Sequence, residues 1–331
     1  MSRKKIAVVT GGAGFIGSHM AEHLTNLGFQ VRVIDSLITG RESNLKHLRS
    51  GDLTLDTRDL RELAPNDSLF QDAEFVFHFA GLGDIVPSID RPIDYMSCNV
   101  MGTVHALECA RHAKVRKFVY AASSSCYGLT KELPTTESAL IQPAYPYALS
   151  KYQGEQAVFH WGQLYRLPVN SVRIFNAYGT RSRTTGVYGA VFGVFLKQKI
   201  AGKPFTVVGD GTQTRDFLYA TDVVRAFHMV ADSAHVNEVY NLGAGKPQSV
   251  NRLVELLGGG KVIYLPKRPG EPDCTFADIA KLKTQIGWAP QISFEEGVAK
   301  ILREIDYWKD APLWDPESIS KATAGWFNAL Q

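Results

Sequence analysis

The chain has 331 residues, 45% hydrophobic and 21% charged, with 36 Lys and Arg against 33 Asp and Glu for a formal net charge of +3. Such a length accommodates one large α/β body with a smaller lobe, and so small and evenly spread a charge excludes a nucleic-acid surface. Ile6–Val9 is too short for a signal peptide or a membrane span. Cys98, Cys109, Cys126 and Cys274 include no CxxC pair and suit neither a zinc site nor a disulfide framework, so reduced thiols, no metal and a cytoplasmic enzyme are expected.

In chain order, Ile6–Thr10 reads as a strand, followed by a glycine turn and a helix from about Phe15 to Leu27. Val31–Asp35, Leu53–Leu55, Phe75–Phe79 and Phe118–Ala122 are further apolar runs of strand length, with helical character over Tyr95–His112 and Ala148–Tyr165. Pro168–Phe175 is another strand, Val191–Ala201 a helix, Phe217–Asp232 a loop leading into a helix, and Val239–Leu242 a last strand. Regular alternation of strand and helix predicts an α/β fold: a doubly wound parallel sheet with helices on both faces and right-handed crossovers. The expected division is 1–175 plus about 217–243 for a nucleotide-binding body, and 176–216 plus 244–331 for a smaller mixed α/β substrate-binding lobe. Trp308, Trp314 and Trp326 near the end of the chain are expected to dock the tail onto the body rather than to bind a ligand.

Gly11, Gly14 and Gly17 form GxxGxxG between the first strand and its helix. Gly11 permits a tight turn, Gly14 lets backbone approach a pyrophosphate, and Gly17 lets the helix lie close to the strand. Phosphates would then face free N–H groups and the positive end of the helix dipole, beside Phe15 and Ile16. Asp35 ends the second strand, where a carboxylate accepts hydrogen bonds from adenosine ribose hydroxyls and repels a 2′-phosphate. NAD is therefore favoured over NADP, with Arg32 and Arg41 nearby as the opposing signal.

Tyr147 and Lys151 share one face at the start of a helix. A lysine beside the phenol, together with a positive nicotinamide ring, would favour phenolate over the ordinary pKa of about 10. Ser123-Ser124-Ser125 follows an apolar strand, at the sheet edge where open α/β folds bind ligands.

Glycine turn, acidic residue, serine run and YxxxK in this order resemble the extended short-chain dehydrogenases/reductases, and among them the UDP-galactose 4-epimerase group, from Ile6 to about Trp308. The resemblance implies a Rossmann fold and a soluble homodimer formed by helices around Val100–His112 and Ser150–Tyr165. It implies Ser123 as the catalytic hydroxyl, Tyr147 as base and Lys151 as its partner on the nicotinamide ribose. It also implies Asp56-Thr57 at the adenine, Phe79-Ala80-Gly81 over the cofactor, and Asn99 and Phe175 lining it. On the substrate side it implies Asn176, Arg215, Arg268 and Glu271 at the sugar diphosphate of a UDP-sugar, and Phe205–Val208, with Phe205 and Val207, cradling the uracil through backbone groups.

Ser124 and Ser125 stand where dehydratase relatives carry Asp-Glu and decarboxylases a Glu, which leaves oxidation and re-reduction at C4, that is, 4-epimerisation. Thr275 implies room for an N-acetyl group at C2. Arg183 could pair with a C6 carboxylate, as in UDP-glucuronate 4-epimerases, or be a solvated loop residue. Cys126 reads as packing. The competing readings are a dehydrogenase or reductase that releases its cofactor in each cycle, and a non-catalytic NAD sensor; intact Tyr147 and Lys151 argue against the sensor.

Overall fold

The structure is a computed structural model that describes residues 4–48, 51–182 and 191–330. Its apolar runs become strands buried on both faces. The first half runs β1 (Ile6–Thr10), α1 (Phe15–Asn26), β2 (Gln30–Ile34), β3 (Leu53–Asp56) and β4 (Ala73–His78). Two short helices, α2 (Pro87–Asp90) and α3 (Pro92–Tyr95), precede α4 (Gly102–Ala113), β5 (Lys117–Ser123), α5 (Pro146–Tyr165) and β6 (Val169–Ile174).

The second half is less regular. It comprises β7 (Asn176–Tyr178), α6 (Val191–Ile200), β8 (Phe205–Val208), β9 (Thr214–Arg215), β10 (Phe217–Tyr219), α7 (Ala220–Asp232) and β11 (Glu238–Leu242). After these come β12 (Gln248–Ser249), α8 (Val250–Leu256), β13 (Val262–Leu265), α9 (Ala280–Ile286), α10 (Phe294–Arg303) and α11 (Pro316–Leu330).

Seven strands form one parallel sheet in the order β11-β6-β5-β4-β1-β2-β3. The order reverses at β1, which has β2 on one side and β4 on the other, so the crevice beyond its carboxyl end is where such sheets bind ligands. One sheet face packs on α1 and α7 through Met20, Leu24, Val223 and Phe227. The other packs on α4 and α5 through Ala106, Leu107 and Val158. A separate core gathers Phe192, Phe195, Phe217, Phe294, Ile301 and Trp308 around the buried Tyr178. Among the described residues no helix is long and apolar enough to cross a membrane.

The helix expected over Tyr95–His112 is interrupted. A π-helical turn, Met96–Met101, joins α3 to α4 and buries Asn99; such widened turns are frequent at functional sites. The loop expected before α7 carries β10, which pairs with β7.

A buried ionic network joins the strands to α5. Arg173 on β6 donates to Glu155 on α5, with Nη2 at 2.6 Å from Oε1, and both side chains are almost wholly enclosed. Glu155 also accepts from Ser171 at 2.7 Å, and Arg173 reaches Tyr127 Oη at 2.8 Å. Tyr127 passes the chain on to Asn241 of β11 at 2.7 Å. Removing one member of a buried pair strands the other charge, so Glu155→Ala is expected to cost about 3–5 kcal/mol of unfolding free energy, read from the urea midpoint. A loss under about 1 kcal/mol, the scale of an exposed pair, would contradict this role.

Candidate active site

The glycine turn after β1 is shaped by close approach. Gly11 has φ +68°, and a Cβ there would lie 2.7 Å from the backbone of Ala80. A Cβ on Gly17 would lie 2.1 Å from the Gly11 carbonyl, so α1 can approach β1 only with glycine at that position. Gly14 begins α1 with no side-chain cap, which leaves the first-turn N–H groups beside Phe15 and Ile16 to a ligand or solvent. Asp35 lies just past β2 and accepts from the Ala13 and Leu37 amides, both at 2.9 Å; burial raises its carboxyl pKa.

Neither nearby arginine forms a 2′-phosphate pocket here. Arg32 is spent on the Ser68, Leu69 and Gln71 carbonyls, and the Arg41 guanidinium lies 5.8 Å over the Tyr307 ring. Asp56, at the end of β3, is held by Arg58, and Thr57 beside it is exposed. Phe79 leans on Phe227 at 4.7 Å, and the chain continues through Ala80 and Gly81 past Asn99. Asn99 accepts from the Leu82 amide at 2.7 Å and donates to Ser150 at 2.9 Å. An uncapped helix N-terminus, a cradle that any Cβ would fill and an acceptor at the end of β2 together fit a dinucleotide such as NAD.

Beyond the carboxyl ends of β5 and β6 lies a cavity of about 430 Å³. Ser123, Ser124, Ser125, Tyr147, Phe175, Asn176, Arg215, Arg268, Glu271 and Thr275 all line it. Ser123 closes β5 and caps the short turn after it, with Oγ 2.8 Å from Ser125 Oγ. Tyr147 sits in the first turn of α5, which starts on Pro146. Burial raises the phenol pKa and a hydrogen bond with Ser123 lowers it.

Lys151 is not part of that wall. Its Nζ lies 4.4 Å over the Tyr120 ring, a cation–π contact, on the side where a Cβ on Gly81 would come within 4.0 Å. Burial pulls its pKa down to about 8. Ser123 faces Tyr147, and the Lys151 ammonium borders the Gly81 segment.

The far wall carries two cations and one anion. Glu271 accepts from Arg268 at 2.7 Å and lies 3.7 Å from Arg215. Burial lowers the Arg215 pKa. The three groups sum to one positive charge facing the cavity. Thr275 donates to Asn176 Oδ1 at 2.7 Å and accepts from the Asp216 amide at 3.0 Å, so its hydroxyl orients Asn176. Asp216, next to Arg215, takes the amides of Ala244, Gly245 and Ala277 at 2.8–3.1 Å and pins the loop after β11.

Phe205 and Val207 do not reach the cavity with their side chains. The period of two along β8 turns both into the core, and Thr206 and Val208 line the cavity instead. Arg183 lies outside the described residues. Trp326 docks α11, the role expected of the tail aromatics, and it also lines the cavity. Its Nε1 donates to the Pro269 carbonyl at 2.8 Å and its ring lies 5.1 Å from that of Tyr145. Sequence reading passed over Tyr145, whose ring is parallel to Tyr147 at 6.5 Å and whose hydroxyl bonds Ser125; its place two residues before Tyr147 was the available signal. Cys126 is buried against Tyr127 and Ala139. Among the described residues no group of His, Cys, Asp and Glu could hold a metal ion.

Residues 7–243 match the NAD dependent epimerase/dehydratase family. A UDP-glucose 4-epimerase from Mycolicibacterium smegmatis is 33% identical, over 88% of this chain and 96% of its own. A UDP-N-acetylglucosamine 4-epimerase from Methanobrevibacter ruminantium M1, solved with UDP-N-acetylmuramic acid, superposes with TM-score 0.85 at 30% identity, over 92% of this chain and 100% of that one. A UDP-glucuronic acid 4-epimerase from Bacillus cereus, solved with UDP-glucuronic acid and NAD, gives TM-score 0.83 at 32% identity, over 92% and 99%. The chain belongs to the NAD-dependent epimerase/dehydratase family.

Proposed function

We propose that this protein is an NAD-dependent nucleotide-sugar 4-epimerase acting on UDP-hexoses, with room for UDP-N-acetylhexosamines. The observation that carries the reading is the cavity itself: Ser123 beside Tyr147 on one wall, Arg215 and Arg268 on the other, and serine rather than carboxylate at 124 and 125. NAD held by the glycine turn, Asp35, Asp56 and Asn99 supplies the acceptor and later the donor of the C4 hydride.

The side chains do the rest. Tyr147 takes the proton of the sugar 4-OH while Ser123 hydrogen-bonds the same oxygen. The guanidinium forks of Arg215 and Arg268 hold the diphosphate, and Asn176, oriented by Thr275, contacts the sugar-phosphate end. With only the diphosphate anchored, the 4-keto sugar turns within the cavity and presents its other face, and Tyr147 returns the proton. Elimination of water would need an acid and a base beside Ser123, and Ser124 and Ser125 supply neither. Lys151, close to Gly81, is the partner of Tyr147 and would hold the nicotinamide ribose. Exposed Met101 in the turn before α4, and Leu149, Leu164 and Tyr165 on α5, support a homodimer through that helical face.

A panel of UDP-glucose, UDP-GlcNAc, UDP-glucuronate and their 4-epimers, followed by NMR without added NAD, tests the reading. Interconversion of one pair supports it; accumulation of a keto sugar as product would replace it with a dehydratase. Tyr147→Phe is expected to abolish turnover while NAD stays bound, and full activity would remove Tyr147 from the mechanism. Ser123 stabilises phenolate, so Ser123→Ala should raise the phenol pKa and move the acidic limb of the kcat/KM profile to higher pH. An unmoved limb would contradict that assignment. Thr275→Tyr is expected to fill the cavity beside Asn176 and impair N-acetylated substrates selectively, with an unchanged substrate profile as the contrary result.

A further inference from the structure

The C-terminal helix does more than cover the second core. Ile319 and Thr323 bury one side of α11, with Ile319 in the aromatic core of the smaller lobe. Its last turns leave that core and cross three pieces of the cavity wall. The Trp326 indole donates to Pro269, inside the Arg268–Glu271 segment, and Leu330 lies so close to Gly270 that a Cβ there would meet it at 3.1 Å. Gly325 runs so near Asp90 of α2 that a Cβ would approach its carboxylate to 2.8 Å. The Trp326 ring leans on Tyr145, which stacks beside Tyr147 and bonds Ser125.

One side chain, only 2% exposed, thus touches the loop that carries a diphosphate arginine and the aromatic pair that carries the base. We propose that Trp326 is a substrate-positioning residue, holding the Arg268–Glu271 loop against the diphosphate and walling the chamber in which the keto sugar turns. The inference rests on the epimerase reading for its chemistry but not for its mechanics. During the turn the sugar ring has let go of Ser123 and Tyr147, and only the diphosphate and the wall retain it. A Pro269 carbonyl without its indole partner loosens the loop that carries Arg268, which then rests on its ion pairs and on Leu330. The chamber then opens beside Tyr145, and a keto sugar that escapes leaves its hydride behind on the cofactor.

The test compares wild type, Trp326→Ala and Trp326→Phe, each purified with its bound cofactor. Losing a neutral hydrogen bond and the ring packing should speed amide exchange across residues 267–273 in Trp326→Ala. It should also raise KM for the UDP-sugar about tenfold, the equivalent of roughly 1.4 kcal/mol, with kcat changed much less. Trp326→Phe keeps the ring and loses the N–H, so its KM should fall between the two. Reduced nicotinamide should accumulate during turnover in Trp326→Ala and not in wild type.

Unchanged exchange at 267–273 would overturn the proposal whether or not the enzyme is an epimerase. Faster exchange with KM unaltered would reduce Trp326 to a structural residue and overturn its positioning role. If wild type interconverts no UDP-sugar pair, the reaction assignment falls, and the exchange measurement still decides whether Trp326 holds the loop.

Discussion

The site depends on the buried pair between Arg173 and Glu155. Three elements must meet for Ser123 to face Tyr147: the end of β5, the start of α5, and the strands beyond them. Hydrophobic packing brings them together but is indifferent to small slides between helix and sheet. A bidentate guanidinium–carboxylate contact is directional, and this one is supplemented by Ser171, Tyr127 and Asn241. Tyr127 lies in the turn that Ser123 begins, and Glu155 lies one turn beyond Lys151, so the network sets base and hydroxyl in register. A charged pair so enclosed is a costly way to add stability, and its value lies in that specificity.

Division of labour among the cations follows from the same geometry. Lys151 and Tyr147 share a helix face: the Lys151 ammonium lies over Tyr120 near Gly81, and Tyr147 faces Ser123. A lysine that settles on an aromatic face keeps its charge near the cofactor end of the cleft. The phenol has the Ser123 hydroxyl beside it, and a positively charged nicotinamide ring would add to that stabilisation.

Much of this was legible in the chain. Buried parallel strands announce themselves as apolar runs, and β1 through β6 were found within a residue or two of their ends because both faces of the sheet demand the same chemistry. The glycine spacing was legible because Gly11 and Gly17 answer to steric limits with one solution each. Contacts between distant segments left no local trace. Thr275 and Asn176 are bonded across 99 positions of chain, and Trp326 meets Pro269 across 57. The π-helical turn around Asn99 has the composition of ordinary helix, so periodicity could not reveal it. The alternation along β8 sends the Phe205 and Val207 side chains into the core and leaves Thr206 and Val208 on the cavity side.

Glu271 has a consequence for turnover. It stands between Arg215 and Arg268, so the anion site is never bare: a resident carboxylate keeps two like charges at rest beside one another between visits of the ligand. On the proposed reading, an arriving diphosphate would compete with this internal rival, and a departing one would be replaced by it. Such a site surrenders part of its grip in exchange for quick release. For a reversible interconversion in which both partners present the same diphosphate, neither direction is then throttled by an arginine pair that will not let go.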